Sequence, residues 1–237
     1  MDQLITDIEK KLFEKWKTVL QSNDAFINIL DGKEGGHSIA SYVDETTIKF
    51  IKEEFPNLLI AKERKKRSMG DFWLKNGNCF IPFNIKTGNT DRGGSPNIVS
   101  LDKIYDFICK HVINKYFLII VLFQKNKNWK LRILKIINIL DYPEYLSYDY
   151  GPGQIMLKKD KFIKDIENND LIVKNMSIKD TLQNLYKLAN DNEKLDKFIK
   201  NRQVKLKKYK EQYEIFSDNQ NLNQEKLKFD EISNVNC

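Results

Sequence analysis

Residues 70–97 read GDFWLKNGNCFIPFNIKTGNTDRGGSPN, with short apolar runs on either side of an Asn-Gly pair. Because glycine accepts a positive φ without steric cost, this arrangement is typical of a tight β-hairpin. The pattern predicts a first strand over 71–74, a turn over 75–78 and a second strand over 79–86. A loop rich in Gly, Ser and Pro follows over 88–97.

Polar side chains of this hairpin are expected to converge at one end of it. Asn84 and Lys86 are two residues apart on the second strand, so they point to the same face. The hairpin register can bring Asp71 to the same end, and Ile85 offers a backbone carbonyl there. Phosphodiester hydrolysis needs hard oxygen ligands for a divalent cation, an activated water and compensation of phosphate charge. The hairpin therefore predicts a site for that chemistry.

The composition predicts a reduced, globular protein with an anionic partner. Hydrophobic residues make up 41% of the 237 residues, and the formal net charge is +7. This charge favours nucleic acid as a partner, although a mild basic excess also occurs in proteins without one. Three cysteines without a CxxC pair indicate a cytoplasmic protein rather than a disulfide scaffold. The charged N-terminus is not a signal peptide, and no apolar run is long enough for a membrane span.

Apolar periodicity predicts an α/β chain. The run over 116–123 is continuously apolar, as expected for a central strand that is buried on both faces. Ser100 can cap a helix, and Pro56 ends another. The predicted helices cover 3–21, 44–55, 101–112 and 177–216, and the predicted strands cover 58–61, 71–74, 79–86, 116–123, 129–140 and 155–157.

Three parts are expected along the chain. Residues 1–175 would form the core, which contains the loop 88–97 and an irregular segment over 141–159. Residues 176–216 would form a C-terminal helical region that begins with a capping-box pattern. Residues 217–237 are polar and are expected to form a mobile tail.

The central stretch resembles the core of the PD-(D/E)xK nucleases, and more narrowly the EcoRV- and HincII-like type II restriction endonucleases. The matching residues are Gly70-Asp71, the strand-turn-strand, Pro82-Phe-Asn84-Ile85-Lys86-Thr87 and Ser95-Pro96-Asn97-Ile98. Upstream, Gly36-His37 followed by Glu45 resembles the helix before that core. The resemblance covers about residues 35–110 and implies a mixed central β-sheet flanked by helices.

The resemblance also implies roles for individual residues. Asp71 would be the principal Mg²⁺ ligand, Asn84 the second and the Ile85 carbonyl the third. Lys86 would be the catalytic lysine, and Glu45 an outer carboxylate of the same site, with Glu53 and Glu54 as rivals. The family usually carries Asp or Glu where Asn84 stands, and the missing charge should weaken metal binding. An engineered change that captures an uncleaved complex is an alternative origin for this amide.

The loop 88–97 is expected to enter a DNA groove. Asn97 has the donor and acceptor for a bidentate contact with adenine. The resemblance makes it the base-reading residue, with Ser95 near the base step. Other residues expected to contact DNA are Thr87, Asn89, Arg92 and Gly94. The basic run over 62–67 favours phosphate contacts, whereas the lysine-rich helix over 197–210 fits a solvated face or a DNA contact.

The sequence therefore predicts a Mg²⁺-dependent type II restriction endonuclease that cuts double-stranded DNA to leave 5′-phosphate ends. A homodimer is expected because one site per subunit must cut two strands, and a cognate DNA methyltransferase is the expected functional partner. Two alternatives stay open. A repair or junction-resolving nuclease would use the same core, but the long base-reading loop argues against it. A catalytically inactive DNA-binding protein on a nuclease fold is kept open by Asn84.

Overall fold

The structure is a computed structural model that describes residues 1–32, 36–61, 69–76, 79–90 and 95–233. The helices are α1 (Asp2–Ser22), α2 (Asp24–Leu30), α3 (Gly36–Glu54), α4 (Leu101–His111), α5 (Lys159–Glu167), α6 (Ile178–Ala189) and α7 (Asn192–Ser233). The strands are β1 (Ile60–Ala61), β2 (Phe72–Asn76), β3 (Cys79–Asn89), β4 (Asn97–Ser100), β5 (Phe117–Lys125), β6 (Trp129–Asn138), β7 (Leu146–Asp149) and β8 (Gln154–Leu157).

The predicted α/β architecture with a mixed central sheet flanked by helices is confirmed. The main sheet has the order β1-β2-β3-β5-β6, in which only the β3–β5 pair is parallel. A smaller antiparallel sheet has the order β4-β8-β7. The chain forms two compact units, Met1–Ala189 and Asn190–Cys237, so both sheets belong to the first unit.

A hydrophobic core lies on each face of the main sheet. One face carries Phe83, Ile85 and Ile119 and packs against α1, α2 and α3. The other face carries Leu118 and Ile120 and packs against α4, α5, α6 and the small sheet. Seven consecutive residues of β5 are buried, which confirms the predicted central strand. Period-two alternation along β3 and β5 therefore sends neighbouring side chains into different cores.

The predicted hairpin is also confirmed. β2 and β3 pair antiparallel from Phe72↔Phe83 to Asn76↔Cys79. The turn residues 77–78 lie outside the described residues. β3 continues to Asn89 and pairs with β5 along its second half, so the hairpin feeds directly into the centre of the sheet.

Pro82 belongs to the first half of β3, which pairs with β2 but not with β5. Pairing between β3 and β5 starts at Phe83↔Phe117, one residue after this proline. Backbone polar groups of successive strand residues face opposite edges, and the Ile85 N–H faces the β2 side. Position 82 therefore faces the β5 side, where proline has no N–H to donate.

Several element boundaries differ from those predicted. α3 begins at Gly36 rather than at residue 44. β6 ends at Asn138 rather than at residue 140, and two short 3₁₀ turns follow it. The segment expected to be irregular holds β7, β8 and the first part of α5. Ser100 is at the N-cap of α4, but its side chain makes no capping hydrogen bond.

The predicted helix over 177–216 is divided into α6 and α7. The break has a local cause, because the Asp191 side chain accepts a 3.2 Å hydrogen bond from the Lys194 N–H and so caps a new helix. The backbone of α7 stays helical past residue 216 as far as Ser233, through a sequence that lacks Gly and Pro. None of the described helices is long and apolar enough to cross a lipid bilayer.

Candidate active site

Gly70 and Asp71 lie beside the edge of β3, directly before β2 begins at Phe72. The Asp71 N–H donates to the Phe83 carbonyl at 2.8 Å, and Asp71 Oδ2 accepts from the Ile85 N–H at 2.6 Å. Because β2 begins at Phe72, opposite Phe83, the Asp71 carboxylate occupies the place of the next strand partner for β3. The side chain thus continues the β-ladder in place of a backbone group.

Gly70 is required by this close approach. A Cβ atom at position 70 would lie 2.7 Å from the Phe83 carbonyl oxygen, a distance that Cβ atoms do not tolerate. The Phe83 oxygen belongs to the backbone of a central strand, so it cannot move aside as a flexible side chain would. The absence of a side chain at Gly70 therefore allows Asp71 to reach β3.

The Ile85 carbonyl faces the same edge as Asp71. In a strand, the N–H and C=O of one residue point to the same side. Since the Ile85 N–H donates to Asp71, the Ile85 carbonyl is directed to the side of the strand where that carboxylate lies. This agrees with the predicted pairing of these two oxygen donors.

Asn84 is held by two hydrogen bonds from its amide nitrogen. Nδ2 donates to the Ile98 carbonyl at 3.2 Å and to the Tyr116 hydroxyl at 3.1 Å. The Tyr116 hydroxyl in turn donates to the Met69 carbonyl at 2.6 Å. The Asn84 side chain is 7% exposed, and its Oδ1 is buried without a hydrogen-bond partner. A buried oxygen is costly unless some group donates to it or is coordinated by it.

Lys86 and Asp71 influence each other electrostatically. Burial raises the pKa of the Asp71 carboxyl, while the Ile85 N–H and Lys86 oppose this change. Burial also lowers the pKa of the Lys86 ammonium, while the negative charges of Asp71 and Asp44 oppose this change. The three predicted groups Asp71, Asn84 and Lys86 are therefore brought to one region of β3.

Asp44 is a carboxylate near Lys86 that the sequence reasoning missed. It lies on α3, and its negative charge opposes, together with that of Asp71, the lowering of the Lys86 pKa by burial. Its neighbour Glu45, the predicted outer carboxylate, is exposed and lines a separate shallow pocket together with Lys49 and Glu53. Among the described residues no contact joins Glu45 to Asp71, Asn84 or Lys86, and its role as an outer carboxylate stays a prediction.

A cleft of about 400 Å³ opens beside Lys86. The predicted DNA-binding residues Thr87, Asn89 and Ser95 line it, together with Lys86 and Lys159. Lys159 opens α5 and is 6% exposed, and no sequence pattern distinguished it from other lysines. Lys159 is distant in sequence from Lys86, and folding brings both into the lining of the cleft.

The other predicted DNA-contacting residues have different positions. Asn97 is exposed at the start of β4, next to Pro96 of the cleft lining. Arg92, Gly94 and the basic run over 62–67 lie outside the described residues. The basic residues of the predicted run over 197–210 belong to the second unit and are exposed; they are Lys197, Lys200, Arg202, Lys205, Lys207, Lys208 and Lys210.

The oxygen donors in this region fit a hard divalent cation. Asp71 contributes a carboxylate, the buried Asn84 Oδ1 lacks a partner, and the Ile85 carbonyl faces the Asp71 edge. Mg²⁺ prefers such oxygen ligands and keeps several waters. Within the described ranges no group of three or more His, Cys, Asp or Glu side chains is placed to hold a metal. A cation held here would meet the Asp71 carboxylate and two neutral oxygens, Asn84 Oδ1 and the Ile85 carbonyl.

Neither the comparison with protein-family models nor the search of curated proteins found a match to this chain.

Proposed function

We propose that this protein is a Mg²⁺-dependent endonuclease with a PD-(D/E)xK core, which cuts double-stranded DNA at a specific sequence as type II restriction endonucleases do. The observation that carries this proposal is the placement of Asp71, Asn84 and Lys86 around the middle of β3. The Asp71 carboxylate is fixed on the Ile85 N–H, and the buried Asn84 Oδ1 lacks a partner. Lys86 lines the adjoining cleft.

The residues present could hold the cation that this reaction needs. Asp71, Asn84 Oδ1 and the Ile85 carbonyl would be its protein ligands. When bound, Mg²⁺ would supply a Lewis acid and lower the pKa of a coordinated water. The hydrogen bond from Ile85 fixes the Asp71 carboxylate before any ligand arrives, which reduces the reorganisation that binding requires.

Lys86 would offset the charge that develops on the scissile phosphate. Its ammonium is partly desolvated beside the cleft, where a charge interaction is stronger than in bulk water. Asp44 and Asp71 favour its protonated form against the effect of burial. In its protonated form Lys86 would supply the electrostatic stabilisation that a phosphoryl group requires.

The cleft would accommodate the DNA backbone near the scissile bond. Lys86 and Lys159 provide positive charge, and Thr87, Asn89 and Ser95 provide polar groups along the same lining. The net charge of +7 favours approach to a polyanion. Asn97 would read a base from its exposed position beside Pro96.

Cleavage of both strands would require two copies of the site. A homodimer with two-fold symmetry would match a palindromic DNA sequence and leave 5′-phosphate ends on each strand. A host that carries such an enzyme would need a cognate methyltransferase to protect its own DNA.

Digestion of a long, sequenced linear DNA with Mg²⁺ tests the proposal. Discrete fragments are expected from the wild type and none in EDTA, and end-mapping would give the recognition site. Lys86→Ala should lose about 10²–10³-fold in rate. Lys75→Ala, which removes an exposed lysine from the neighbouring strand β2, should cut at the wild-type rate. Equal rates for the two variants, or no metal-dependent cutting by the wild type, would overturn the proposal.

The single carboxylate among the candidate ligands favours one second candidate, a DNA-binding protein without catalysis. Its DNA affinity would be retained while no divalent metal supports cleavage. A binding assay on the digestion substrate with the same three proteins separates the two functions. Binding without cleavage under Mg²⁺ and Mn²⁺ would favour this candidate.

A further inference from the structure

We propose that residues 197–210 of α7 form a second DNA-binding site, which contacts the phosphate backbone without reading the base sequence. This segment carries seven of the 40 basic residues of the chain and no acidic residue. It belongs to the unit Asn190–Cys237, whereas the candidate active site belongs to Met1–Ala189. The second site goes beyond the proposed nuclease function and does not depend on it.

The positive charges of this segment are exposed and are not neutralised by neighbouring side chains. All seven basic residues are exposed. Six of them form no ion pair with another described residue; they are Lys197, Lys200, Arg202, Lys205, Lys207 and Lys208. Just ahead of the segment, by contrast, Lys194 pairs with Asp191 at 2.6 Å. The charge of the segment is therefore available to an anionic partner.

Like charges lie close together along this part of α7. Residues three positions apart are neighbours on the surface of a helix. Four pairs of basic residues have this spacing; they are Lys197 and Lys200, Arg202 and Lys205, Lys205 and Lys208, and Lys207 and Lys210. Because neighbouring like charges destabilise a helix, a bound polyanion would stabilise the segment as well as neutralise it.

The basic residues surround the helix instead of forming one face. With 3.6 residues per turn, Arg202, Lys207 and Lys208 are about 100–140° apart around the helix axis. The exposed apolar residues Val204 and Leu206 lie on nearly opposite sides. A helix that binds a membrane surface separates an apolar face from a charged one, and this segment does not. A second copy of the same segment would bring like charges together.

DNA has the charge and the dimensions that such a segment requires. The duplex carries one negative charge per about 1.7 Å of its axis. Its major groove is about 12 Å wide and admits an α-helix, whose diameter with side chains is about 10–12 Å. Basic residues around the whole circumference would then contact phosphates of both strands. Contacts to phosphates position a protein on DNA but carry no sequence information directly.

The test compares two variants that have equal net charge. The α7 variant carries four changes within the segment, which are Lys200→Gln, Lys205→Gln, Lys207→Gln and Lys208→Gln. The control variant carries four changes at exposed helical lysines of the first unit, which are Lys10→Gln, Lys52→Gln, Lys179→Gln and Lys187→Gln. Glutamine and lysine have similar helix propensities, so both variants should fold, and thermal unfolding verifies this.

Binding of a labelled duplex of arbitrary sequence is measured by fluorescence anisotropy in EDTA at several salt concentrations. The α7 variant should lower the slope of log K against log salt by about 0.9 for each lysine that contacts a phosphate. The control variant should keep the wild-type slope. Arginine at the same four positions of α7 keeps the charge and should also keep the wild-type slope.

Three results would overturn the second site. The first is an equal slope for the two glutamine variants. The second is binding of the wild type to phosphatidylserine vesicles without binding to the duplex, which would assign the segment to a membrane surface. The third is self-association of the wild type that the α7 variant loses while its DNA affinity is unchanged, which would assign the segment to a second copy.

The outcomes also separate this inference from the proposed function. If the duplex is bound through α7 but no divalent metal supports cleavage, the second site stands and the nuclease assignment fails. If the wild type cuts DNA at a specific sequence and the two glutamine variants have equal slopes, the nuclease assignment stands and the second site is overturned.

Discussion

Asp71 accepts a 2.6 Å hydrogen bond from the backbone N–H of Ile85 and thereby replaces a strand partner that β2 no longer supplies. A carboxylate that binds a metal ion is oriented by the hydrogen bonds it receives from surrounding groups. Here the sheet itself fixes it, because the bonded N–H belongs to a strand with neighbours on both sides. The orientation of the candidate metal ligand is therefore as rigid as the centre of the fold.

Asp71→Asn should abolish the effect of Mg²⁺ on stability without destabilising the fold. The amide keeps an oxygen for the Ile85 N–H but removes a charge whose burial is unfavourable, as the raised pKa of Asp71 indicates. In EDTA we expect its melting temperature to be equal to or above that of the wild type. Mg²⁺ should raise the melting temperature of the wild type but not of the variant. Asp106→Asn, an exposed change on α4, should keep the Mg²⁺ effect, and retention of it by Asp71→Asn would contradict the metal site.

The pH dependence of the free energy of unfolding should reflect the ionisation of the Asp71 carboxyl. The pKa of Asp71 is raised above its ordinary value of 3.8, so the folded state binds this proton more tightly than the unfolded state. Between the ordinary and the raised pKa, stability in EDTA should therefore fall as pH increases. Urea unfolding of the wild type and of Asp71→Asn across this interval measures the difference. A wild type that gains stability relative to the variant with increasing pH would contradict the assignment.

The affinity for Mg²⁺ should increase with pH, whereas stability in EDTA should decrease. Only the ionised Asp71 carboxylate binds a cation, so the affinity for Mg²⁺ should weaken as pH falls through the raised pKa. This loss should begin at a higher pH than for an exposed aspartate. Titration with Mn²⁺, followed by its paramagnetic signal at several pH values, provides the measurement. A midpoint at or below the ordinary aspartate value would contradict the prediction.

Gly70→Ala should disturb the hairpin, whereas Gly88→Ala should not. The new methyl group at position 70 would lie 2.7 Å from the Phe83 carbonyl oxygen, but at position 88 it would meet only Leu122 Cδ2 at 3.6 Å. We expect Gly70→Ala to lower the free energy of unfolding by about 1–3 kcal/mol. Gly88→Ala should change it by less than about 0.5 kcal/mol. Urea unfolding of both variants tests this contrast, and equal effects would show that β3 tolerates a side chain at Gly70.

Lys159→Met should weaken DNA binding in a way that depends on salt. If Lys159 contacts a phosphate in the cleft, its removal should reduce the slope of log K against log salt by about 0.9. Lys164→Met removes an exposed lysine from the same helix and should leave the slope unchanged. Fluorescence anisotropy with a labelled duplex at several salt concentrations measures both slopes. Identical slopes for the two variants would place the DNA elsewhere.

The hairpin and the central strand could be predicted because their signals are local. The Asn-Gly pair and the apolar alternation around it are contained within residues 70–89, and β5 is a continuous apolar run. β4 has no such signal, because its four residues pair with β8, which lies far along the chain. Short strands of this kind depend on partners that a local pattern does not contain.

The residues of the candidate site also differ in whether a local sequence pattern could predict their position. Asp71, Asn84 and Lys86 belong to one hairpin, so strand alternation was sufficient to bring them together. The choice between Asp44 and Glu45 required the rotation of α3 about its axis, since consecutive helical residues differ by about 100°. The buried residues Val43 and Thr47 set that rotation, and they are buried by contacts from elsewhere in the fold.

Pro82 has a consequence for how this protein behaves during folding and at high concentration. Before β5 pairs during folding, the side of β3 that will face it is an open edge to which another chain could add a strand, whereas position 82 is buried in the folded protein. Because proline has no N–H, position 82 lacks a hydrogen-bond donor on that edge. The hydrogen-bond ladder of an added strand would be interrupted there. Pro82 should therefore limit pairing with other chains while the sheet is still incomplete.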